Sequence, residues 1–322
     1  MPKSPVSYFG GKQSLALRLV GSFPAHRHYV EVFGGSLAVL LAKQRSPQET
    51  VNDLDGHLQT FWRVLRDQPA ELERVCSLTP HSRAERELAY AIVDDLPELE
   101  IARRVWIGLT QGRTGSLTRT GWRHNTSPTP TPMPVVLQRY AGRIAPAARR
   151  LQGVSLECRP ASEMVEAYGN DRRTLLYLDP PYLTDPGVRR GGEYRVEMRN
   201  PADHRKLLEL CTAATAHVVI SAYENALYTE VLDGWFRYEI PTHTTQRGVR
   251  TPKLEIVWSN VPLDRLTDEN TDLDSAQCDE TPTRCAACGG VLRQPKTGRK
   301  KVYCSPACRA VGYRARRDSA EN

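Results

Sequence analysis

The sequence predicts an α/β protein in which helices cover both faces of a parallel or mixed sheet. Three observations support this prediction. Short β-type runs alternate with segments of helical spacing. The run Thr-Leu-Leu-Tyr-Leu at residues 174–178 is apolar throughout, as expected for a strand buried on both faces. A strand, a glycine turn and the start of a helix follow one another over residues 29–40.

The individual elements are predicted from their hydrophobic spacing and their turn residues. Strands are expected at residues 28–32, 50–54, 174–178, 217–221 and 254–258. Helices are expected at residues 58–65, 203–211 and 225–232. Residues 57–110 have helical spacing and no strand candidate, which indicates a helical insertion into the sheet. Alternating prolines at residues 126–134 predict an extended loop, because proline lacks an N–H and disfavours helix.

The charge is distributed unevenly along the chain, which has 322 residues and a net charge of +7. Ten Lys and Arg residues and no acid lie within residues 284–317. Residues 263–283 hold seven acids and one Arg, a composition typical of a solvated linker. We therefore predict a main domain at 1–262, an acidic flexible linker at 263–283 and a small basic module at 284–317. The basic module is a candidate polyanion binder, with a solubilising tail as the alternative.

Composition limits the class of protein and the compartment. With 40% hydrophobic and 25% charged residues, the chain is not disordered throughout. No apolar run approaches the roughly 18 residues that cross a bilayer. The first residues lack the apolar core of a secretory signal. We therefore expect the reducing cytoplasm, where closely spaced cysteines more often bind metal than form disulfides.

Four cysteines in two close pairs predict a structural zinc site. The candidate ligands are Cys285, Cys288, Cys304 and Cys308, with fifteen residues between the pairs. A segment of about 35 residues cannot build an adequate core alone, so metal binding would drive its folding. The segment resembles small zinc-ribbon or treble-clef fingers. Attachment to nucleic acid and docking to a protein are both open roles, and thiols without metal are the alternative.

The tetrapeptide Asp179-Pro180-Pro181-Tyr182 directly follows the predicted buried strand at 174–178. Ligands of open α/β sheets bind at this edge. The prolines have no N–H, so a carboxylate and a backbone carbonyl are offered together as two acceptors, which suit an –NH₂ group. The tyrosine adds a flat face for stacking. The motif therefore suits an exocyclic amine on an aromatic base, with a plain proline turn as the alternative.

Three further segments suit a nucleoside-like ligand. The glycine turn after residues 29–33 allows close backbone approach next to a helix N-terminus, with a purely structural strand–turn–helix as its alternative. Asp53, about 20 residues beyond these glycines, is placed to accept from ribose hydroxyls. Helix capping is the alternative role for this acidic segment, and Asp55 fits it better than Asp53. Ser-Tyr-Phe-Gly-Gly-Lys at residues 7–12 is a third candidate, with a generic glycine loop as its alternative.

Taken together and in this order, the segments resemble the Dam-like DNA adenine methyltransferases. The resemblance covers residues 5 to about 261 and includes 8–12, 31–35, 52–53, 179–182, 221–223 and 255–260. It implies a Rossmann-like methyltransferase sheet with a target-recognition insertion at 57–150. It also implies methyl transfer from S-adenosylmethionine to the 6-amino group of adenine in duplex DNA, with the base flipped out. Leu37 stands where the family usually has a last glycine, and Val32 where it often has proline, which weakens the cofactor assignment.

The resemblance also implies which residues form the site. Asp179, Pro180, Pro181 and Tyr182 would be catalytic. The residues that would bind the cofactor are Tyr8, Lys12, Glu31, Phe33, Gly35, Asp53 and Asp179.

Double-stranded DNA is the implied partner, and no membrane partner is expected. Two basic segments suit DNA, residues 111–124 and the group Arg189, Arg190, Arg195 and Arg199. Ordinary exposed charge is the alternative for both. We expect a monomer on DNA, and a cognate restriction nuclease is a candidate partner in restriction-modification. Two other functions stay open: a non-catalytic DNA-binding regulator, and methylation of an amine in RNA or protein.

Overall fold

The computed structural model describes residues 1–91, 95–124, 131–183, 194–246, 249–263 and 266, and residues 285, 288, 304, 305, 307, 308 and 310. Contacts divide the chain into two compact units, Met1–Thr267 and Asp268–Asn322. Leu263 and Leu266, in the first part of the predicted linker, are buried in the core of the first unit. The rest of the predicted linker, and most of the predicted finger, lie outside the described residues.

The described residues form strands and helices that alternate along much of the chain. The strands are β1 His28–Glu31, β2 Gln48–Asn52, β3 Ser155–Glu157, β4 Thr174–Leu178, β5 His217–Ala222, β6 Phe236–Gln246 and β7 Val249–Ser259. The helices are α1 Ala16–Ser22, α2 Ala38–Ala42, α3 Gly56–Asp67, α4 Pro69–Leu78, α5 Arg83–Leu88, α6 Glu98–Gln111, α7 Met133–Ala141, α8 Ile144–Leu151, α9 Ala161–Tyr168, α10 Pro201–Ala213 and α11 Ala226–Val231.

The seven strands form one mixed sheet in the order β3-β2-β1-β4-β5-β7-β6. Strands β3, β2, β1, β4 and β5 are parallel, and β7 is antiparallel to both β5 and β6. The predicted α/β class is therefore confirmed. Strand β1 lies between β2 and β4, so the connections leaving it and β4 diverge and open a crevice at their carboxyl ends.

Both faces of the sheet are covered, which explains the apolar composition of β4. Leu175 and Tyr177 pack in the core on one face, whereas Leu176 and Leu178 pack in the core on the other. Helices α3, α4, α6, α7 and α8 contribute to the first core, and α9, α10 and α11 to the second. The helices of the predicted insertion thus share a core with the sheet.

Three features differ from the sequence-based expectation. Strand β3 has only three residues, too few for a hydrophobic pattern, and β6 contains Pro241, which disfavours a strand prediction. Residues 125–130 of the predicted extended loop lie outside the described chain. The expectation of an extended loop is wrong at its end, because Met133 and Pro134 begin α7. Proline is compatible with the first helical turn, where N–H groups have no helical partner.

No helix in the described part of the chain is both long and apolar enough to span a bilayer.

Candidate active site

The glycine turn after β1 is held by close backbone contacts. Gly34 N donates to Asn52 O at 2.7 Å, and a Cβ on Gly34 would lie 3.0 Å from that oxygen. Gly35 has φ +49°, and a Cβ there would lie 3.1 Å from the ring of Tyr8. A side chain at Gly34 would therefore separate β1 from β2, and one at Gly35 would displace Tyr8.

Leu37 also adopts the left-handed conformation, with φ 51° and ψ 29°. A bulky residue is strained there, and glycine would not be. The side chain of Leu37 is 1% exposed and packs in the core above the sheet. The turn thus keeps the backbone conformation that a glycine would favour, while the leucine contributes apolar burial.

Asp53 supports this turn from the end of β2. Its carboxylate accepts from Gly35 N at 2.8 Å and from Asp55 N at 2.9 Å. Burial raises the pKa of Asp53 to about 6. Asp55 caps α3 by accepting from the backbone N–H of His57 and Leu58, so its predicted capping role is confirmed.

The indole of Trp62 supplies a further support that the sequence did not predict. Trp62 lies on α3, is buried, and donates from Nε1 to Gly35 O at 3.1 Å. Its position within an amphipathic helix indicated only a core residue. The contact fixes the carbonyl of the turn from the side of the predicted insertion.

Glu31 is buried at the end of β1. Its Oε2 accepts from the hydroxyl of Tyr29 at 2.9 Å and from Leu40 N at 2.9 Å. Burial raises the pKa of Glu31 to about 8. The contact with Leu40 N links β1 to α2, so Glu31 stabilises the fold. Glu31 also lines the cleft.

A cleft of about 360 Å³ opens beside this turn, within the usual range of small-molecule sites. It brings together most of the predicted residues. Those lining it are Tyr8, Lys12, Glu31, Phe33, Gly35, Asp53, Asp179 and Pro181. Residues that sequence reasoning missed also line it, among them Arg159, Ser162, Asp203 and Lys206.

Asp179 belongs to a compact charged cluster at one end of this cleft. Lys12 Nζ lies 2.7 Å from Asp179 Oδ1 and 3.3 Å from Glu255 Oε1, and it also contacts the Tyr182 hydroxyl. The Tyr182 hydroxyl lies 2.6 Å from Glu255 Oε1 and 3.3 Å from Asp179 Oδ1. Pro180 is buried beside them. Asp179 and Tyr182 of the predicted motif therefore meet the predicted lysine at the carboxyl edge of the sheet.

Burial and charge act in opposite directions on these groups. Burial lowers the pKa of Lys12, but the charges of Asp179 and Glu255 outweigh it, and the net shift is upward. Burial raises the pKa of Asp179, although Lys12 opposes that shift. Burial likewise raises the pKa of Glu255 against the effect of Lys12.

The predicted basic segment at 111–124 forms a short hairpin. Arg113 N donates to Gly121 O at 2.8 Å, and the indole of Trp122 stacks on His81 with centroids 4.2 Å apart. The guanidinium of Arg83 lies 4.4 Å from the centroid of Trp122. Aromatic and basic side chains therefore share one surface.

Several of the predicted DNA-contacting arginines have acidic neighbours. Arg119 pairs with Glu87 at 2.6 Å, and Arg195 Nε lies 3.5 Å from Asp55. Arg199 lies 3.6 Å from Glu197. Arg189 and Arg190 lie outside the described residues. These pairs reduce the positive charge that the segments offer to DNA.

The four predicted zinc ligands lie together in the second unit. The sulfurs of Cys285, Cys288, Cys304 and Cys308 all lie within 4.8 Å of one another. Tetrahedral Zn–S bonds of about 2.3 Å place neighbouring sulfurs roughly 3.8 Å apart. The observed separations of 3.6 Å for Cys288–Cys304 and 3.4 Å for Cys304–Cys308 fit such a site.

The fold and cleft define a Rossmann-like α/β protein with a nucleoside-sized site at the switch point of its sheet. A family model, described as D12 class N6 adenine-specific DNA methyltransferase, matches residues 8–102. The predicted resemblance to DNA adenine methyltransferases is thereby confirmed over that segment, which includes Lys12, the glycine turn and Asp53. The match supports methyl transfer from S-adenosylmethionine, and it ends before Asp179.

Known proteins add a distant structural likeness. A SAM-dependent methyltransferase from Agrobacterium tumefaciens aligns at 14% identity and TM-score 0.32, over 77% of this chain and 61% of that one. An rRNA methylase from Streptococcus thermophilus aligns at 8% identity and TM-score 0.30, over 78% of this chain and 95% of that one. The chain thus spans less than two thirds of the first of these proteins. Similarity this low indicates no substrate. No curated protein matches the chain by sequence.

Proposed function

We propose that this chain is a site-specific DNA methyltransferase that transfers methyl from S-adenosylmethionine to the 6-amino group of adenine in duplex DNA. The observation that carries the proposal is that Asp179 lines the same cleft as Asp53 and the glycine turn. The two predicted halves of the chemistry, cofactor contacts and amine acceptors, are far apart in sequence and meet at adjacent ends of β1 and β4.

The residues of the cleft fit the cofactor. Asp53 would accept hydrogen bonds from the ribose hydroxyls, because its carboxylate lies beside the glycine turn. Tyr8 and Phe33 offer apolar ring surface, and Lys12 with Gly35 borders the remaining wall. When bound, the cofactor supplies an electrophilic methyl group on a sulfonium sulfur.

Asp179 is oriented to receive an amine. Lys12 and Tyr182 both approach Oδ1, and Oδ2 accepts no hydrogen bond from the residues that the structure describes. We propose that Oδ2 and the Pro180 carbonyl accept the two N–H hydrogens of the adenine amine. This arrangement favours a pyramidal nitrogen and localises its lone pair. The carboxylate also stabilises the positive charge that develops on nitrogen until a proton is released.

Base flipping follows from the depth of this cluster. A base within a duplex cannot reach Asp179, so the adenine would leave the stack at a cost of roughly a few kcal/mol. Stacking on the ring of Tyr182 would return about 1–3 kcal/mol. The hairpin at 111–124, with its Trp122 and the neighbouring Arg83 of α5, is the proposed contact to the surrounding DNA.

We further propose that Cys285, Cys288, Cys304 and Cys308 hold a structural zinc ion and that the basic C-terminal module binds DNA. Tethering this module by the acidic segment would raise the local concentration of the catalytic domain on DNA. A monomer on DNA and a cognate nuclease partner remain predictions.

The experiment that tests the function compares wild type, Asp179→Asn and Asp179→Ala with labelled cofactor and duplex DNA. We expect the wild type to place label on adenine N6, and the rate of transfer at saturating cofactor to fall by roughly 100- to 1,000-fold in the two variants. Asp171→Asn is the matched control, since Asp171 is exposed and precedes β4 at the opposite edge of the sheet. Full activity in Asp179→Ala, or label on cytosine alone, would overturn the proposal.

A further inference from the structure

We propose that Glu255 is a positioning residue that holds Tyr182 and Lys12 so that Asp179 stays a strong acceptor for the substrate amine. The inference rests on the proposed function and deepens it. Glu255 lies on β7, and its side chain is 6% exposed. In the sequence it is one acid within an apolar strand and the first residue of the segment 255–260 that shares in the resemblance, with no role assigned to it.

The hydroxyl group of Tyr182 donates its hydrogen bond to Glu255. Tyr182 has one hydroxyl hydrogen and two carboxylates nearby, with Glu255 Oε1 at 2.6 Å and Asp179 Oδ1 at 3.3 Å. The shorter contact is the stronger one, so the hydroxyl donates to Glu255. The phenolic oxygen then accepts from Lys12. Without Glu255, the hydroxyl would turn its hydrogen toward Asp179.

The ammonium group of Lys12 is shared between Asp179 and Glu255. Lys12 has three N–H hydrogens, and its acceptors include Asp179 Oδ1 at 2.7 Å, Glu255 Oε1 at 3.3 Å and Gly10 O at 3.3 Å. Because two carboxylates share this ammonium, Asp179 is not fully neutralised by it. Removing the charge of Glu255 would leave Lys12 to Asp179 alone and weaken Asp179 as an acceptor for the amine.

The sheet places Glu255 for this role. Along β7, Ile256 and Trp258 pack in the core on one face and Val257 in the core on the other. Side chains alternate along a strand, so Glu255 faces the same side as Val257. A buried carboxylate there costs free energy unless it is paired. Within the part of the chain that the structure describes, it pairs with Tyr182 and Lys12, both members of the Asp179 cluster.

The ring of Tyr182 is restrained by a second contact. Its centroid lies 4.2 Å from that of Tyr223, and Lys253 lies 4.3 Å from the Tyr223 centroid. Tyr223 limits the tilt of the ring, while Glu255 fixes its hydroxyl end. Glu255 therefore sets the stacking surface as well as the charge at Asp179.

The test measures single-turnover methyl transfer at saturating cofactor and DNA for Glu255→Gln, Tyr182→Phe and the double variant. We expect Glu255→Gln to slow transfer about tenfold to 100-fold, with cofactor affinity by calorimetry unchanged. In the Tyr182→Phe background the same substitution should cost much less, because part of its effect passes through the hydroxyl. Glu255→Asp should recover part of the rate.

Glu239→Gln is the matched control, because Glu239 is exposed on the neighbouring β6 and pairs with Arg237. It should leave the rate unchanged. A normal rate in Glu255→Gln, or a cost that simply adds to that of Tyr182→Phe, would overturn the inference. Loss of fold without loss of rate per folded molecule would do the same.

A readout that needs no activity separates this inference from the proposed function. In protein labelled with ¹³C at tyrosine Cζ, the Tyr182 signal is assigned by its loss in Tyr182→Phe. We expect Glu255→Gln to shift that signal and Glu239→Gln to leave it in place. An inactive wild type would overturn the proposed function alone, whereas an unmoved Tyr182 signal would overturn the role of Glu255.

Discussion

Replacing Leu37 by alanine and by glycine tests the left-handed turn directly. Its side chain is 1% exposed, so Leu37→Ala should cost about 2–5 kcal/mol of unfolding free energy. Leu37→Gly loses the same burial but relieves the left-handed strain, which is worth roughly 1–2 kcal/mol for a non-glycine residue. Glycine also adds roughly 0.5–1 kcal/mol of chain entropy to the unfolded state. Leu37→Gly should therefore be more stable than Leu37→Ala by up to about 1.5 kcal/mol.

Leu40 is the matched control for this comparison. It is buried at 0% exposure in the right-handed helix α2, three residues from Leu37. Glycine in a helix is about 1 kcal/mol worse than alanine, so Leu40→Gly should be less stable than Leu40→Ala. The unfolded-state effect of glycine is common to both sites and cancels when they are compared.

The assay is equilibrium urea unfolding of the four variants, followed by tryptophan fluorescence. The difference in unfolding free energy between the glycine and the alanine variant should have opposite signs at positions 37 and 40. The two differences should lie roughly 1–2 kcal/mol apart. If Leu37→Gly is less stable than Leu37→Ala by the margin seen at Leu40, the positive φ at Leu37 is refuted. The strain argument for this turn then fails with it.

Two further predictions concern the cofactor and the metal. Because the pKa of Asp53 is raised to about 6, its carboxyl becomes neutral as the pH falls through that value, and the Kd for S-adenosylmethionine should rise between pH 7 and pH 5. Calorimetry on Asp53→Asn should show a smaller pH dependence, and equal slopes would contradict the role of Asp53. Purified protein should carry stoichiometric zinc by elemental analysis, and Cys304→Ser should lose it because three thiolates leave the site open. Cys158→Ser is the control, as Cys158 is exposed and lies outside the cluster, and zinc retention in Cys304→Ser would contradict the assignment.

Local patterns were sufficient for several elements of this protein. The apolar run of β4 predicted a strand buried on both faces, because each face of the sheet meets a layer of helices. The position of Asp55 before a helical pattern predicted that it caps α3. The order of the lysine, glycine and Asp-Pro-Pro-Tyr segments predicted the resemblance that a family match confirms over residues 8–102.

Other elements depended on contacts that local patterns do not record. Strand β3 is too short for a periodic signal, and it exists because β2 supplies its partner residues. Nothing in the sequence around Trp62 indicated that its indole would hold the carbonyl of Gly35. The apolar side chain of Leu37 is typical of a buried residue, but it gives no sign of a left-handed backbone. That conformation is imposed by the turn in the folded chain.

The charged cluster around Asp179 was predicted in part from the sequence and assembled only by the tertiary structure. The sequence by itself predicted which residues are candidates for the chemistry, because a lysine, an Asp-Pro-Pro-Tyr segment and a glycine turn each have local physical signatures. The tertiary structure decided that Lys12 would meet Asp179, 167 residues away, and that Glu255 would bind Tyr182, 73 residues away. Lys12 lies just before α1, whose Ala16 and Leu19 pack in the same core as Leu175 and Tyr177 of β4. For Glu255 and Tyr182 the physical reason is strand order: β4, β5 and β7 are neighbours in the sheet though distant in the chain, and their pairing depends on packing across the whole domain.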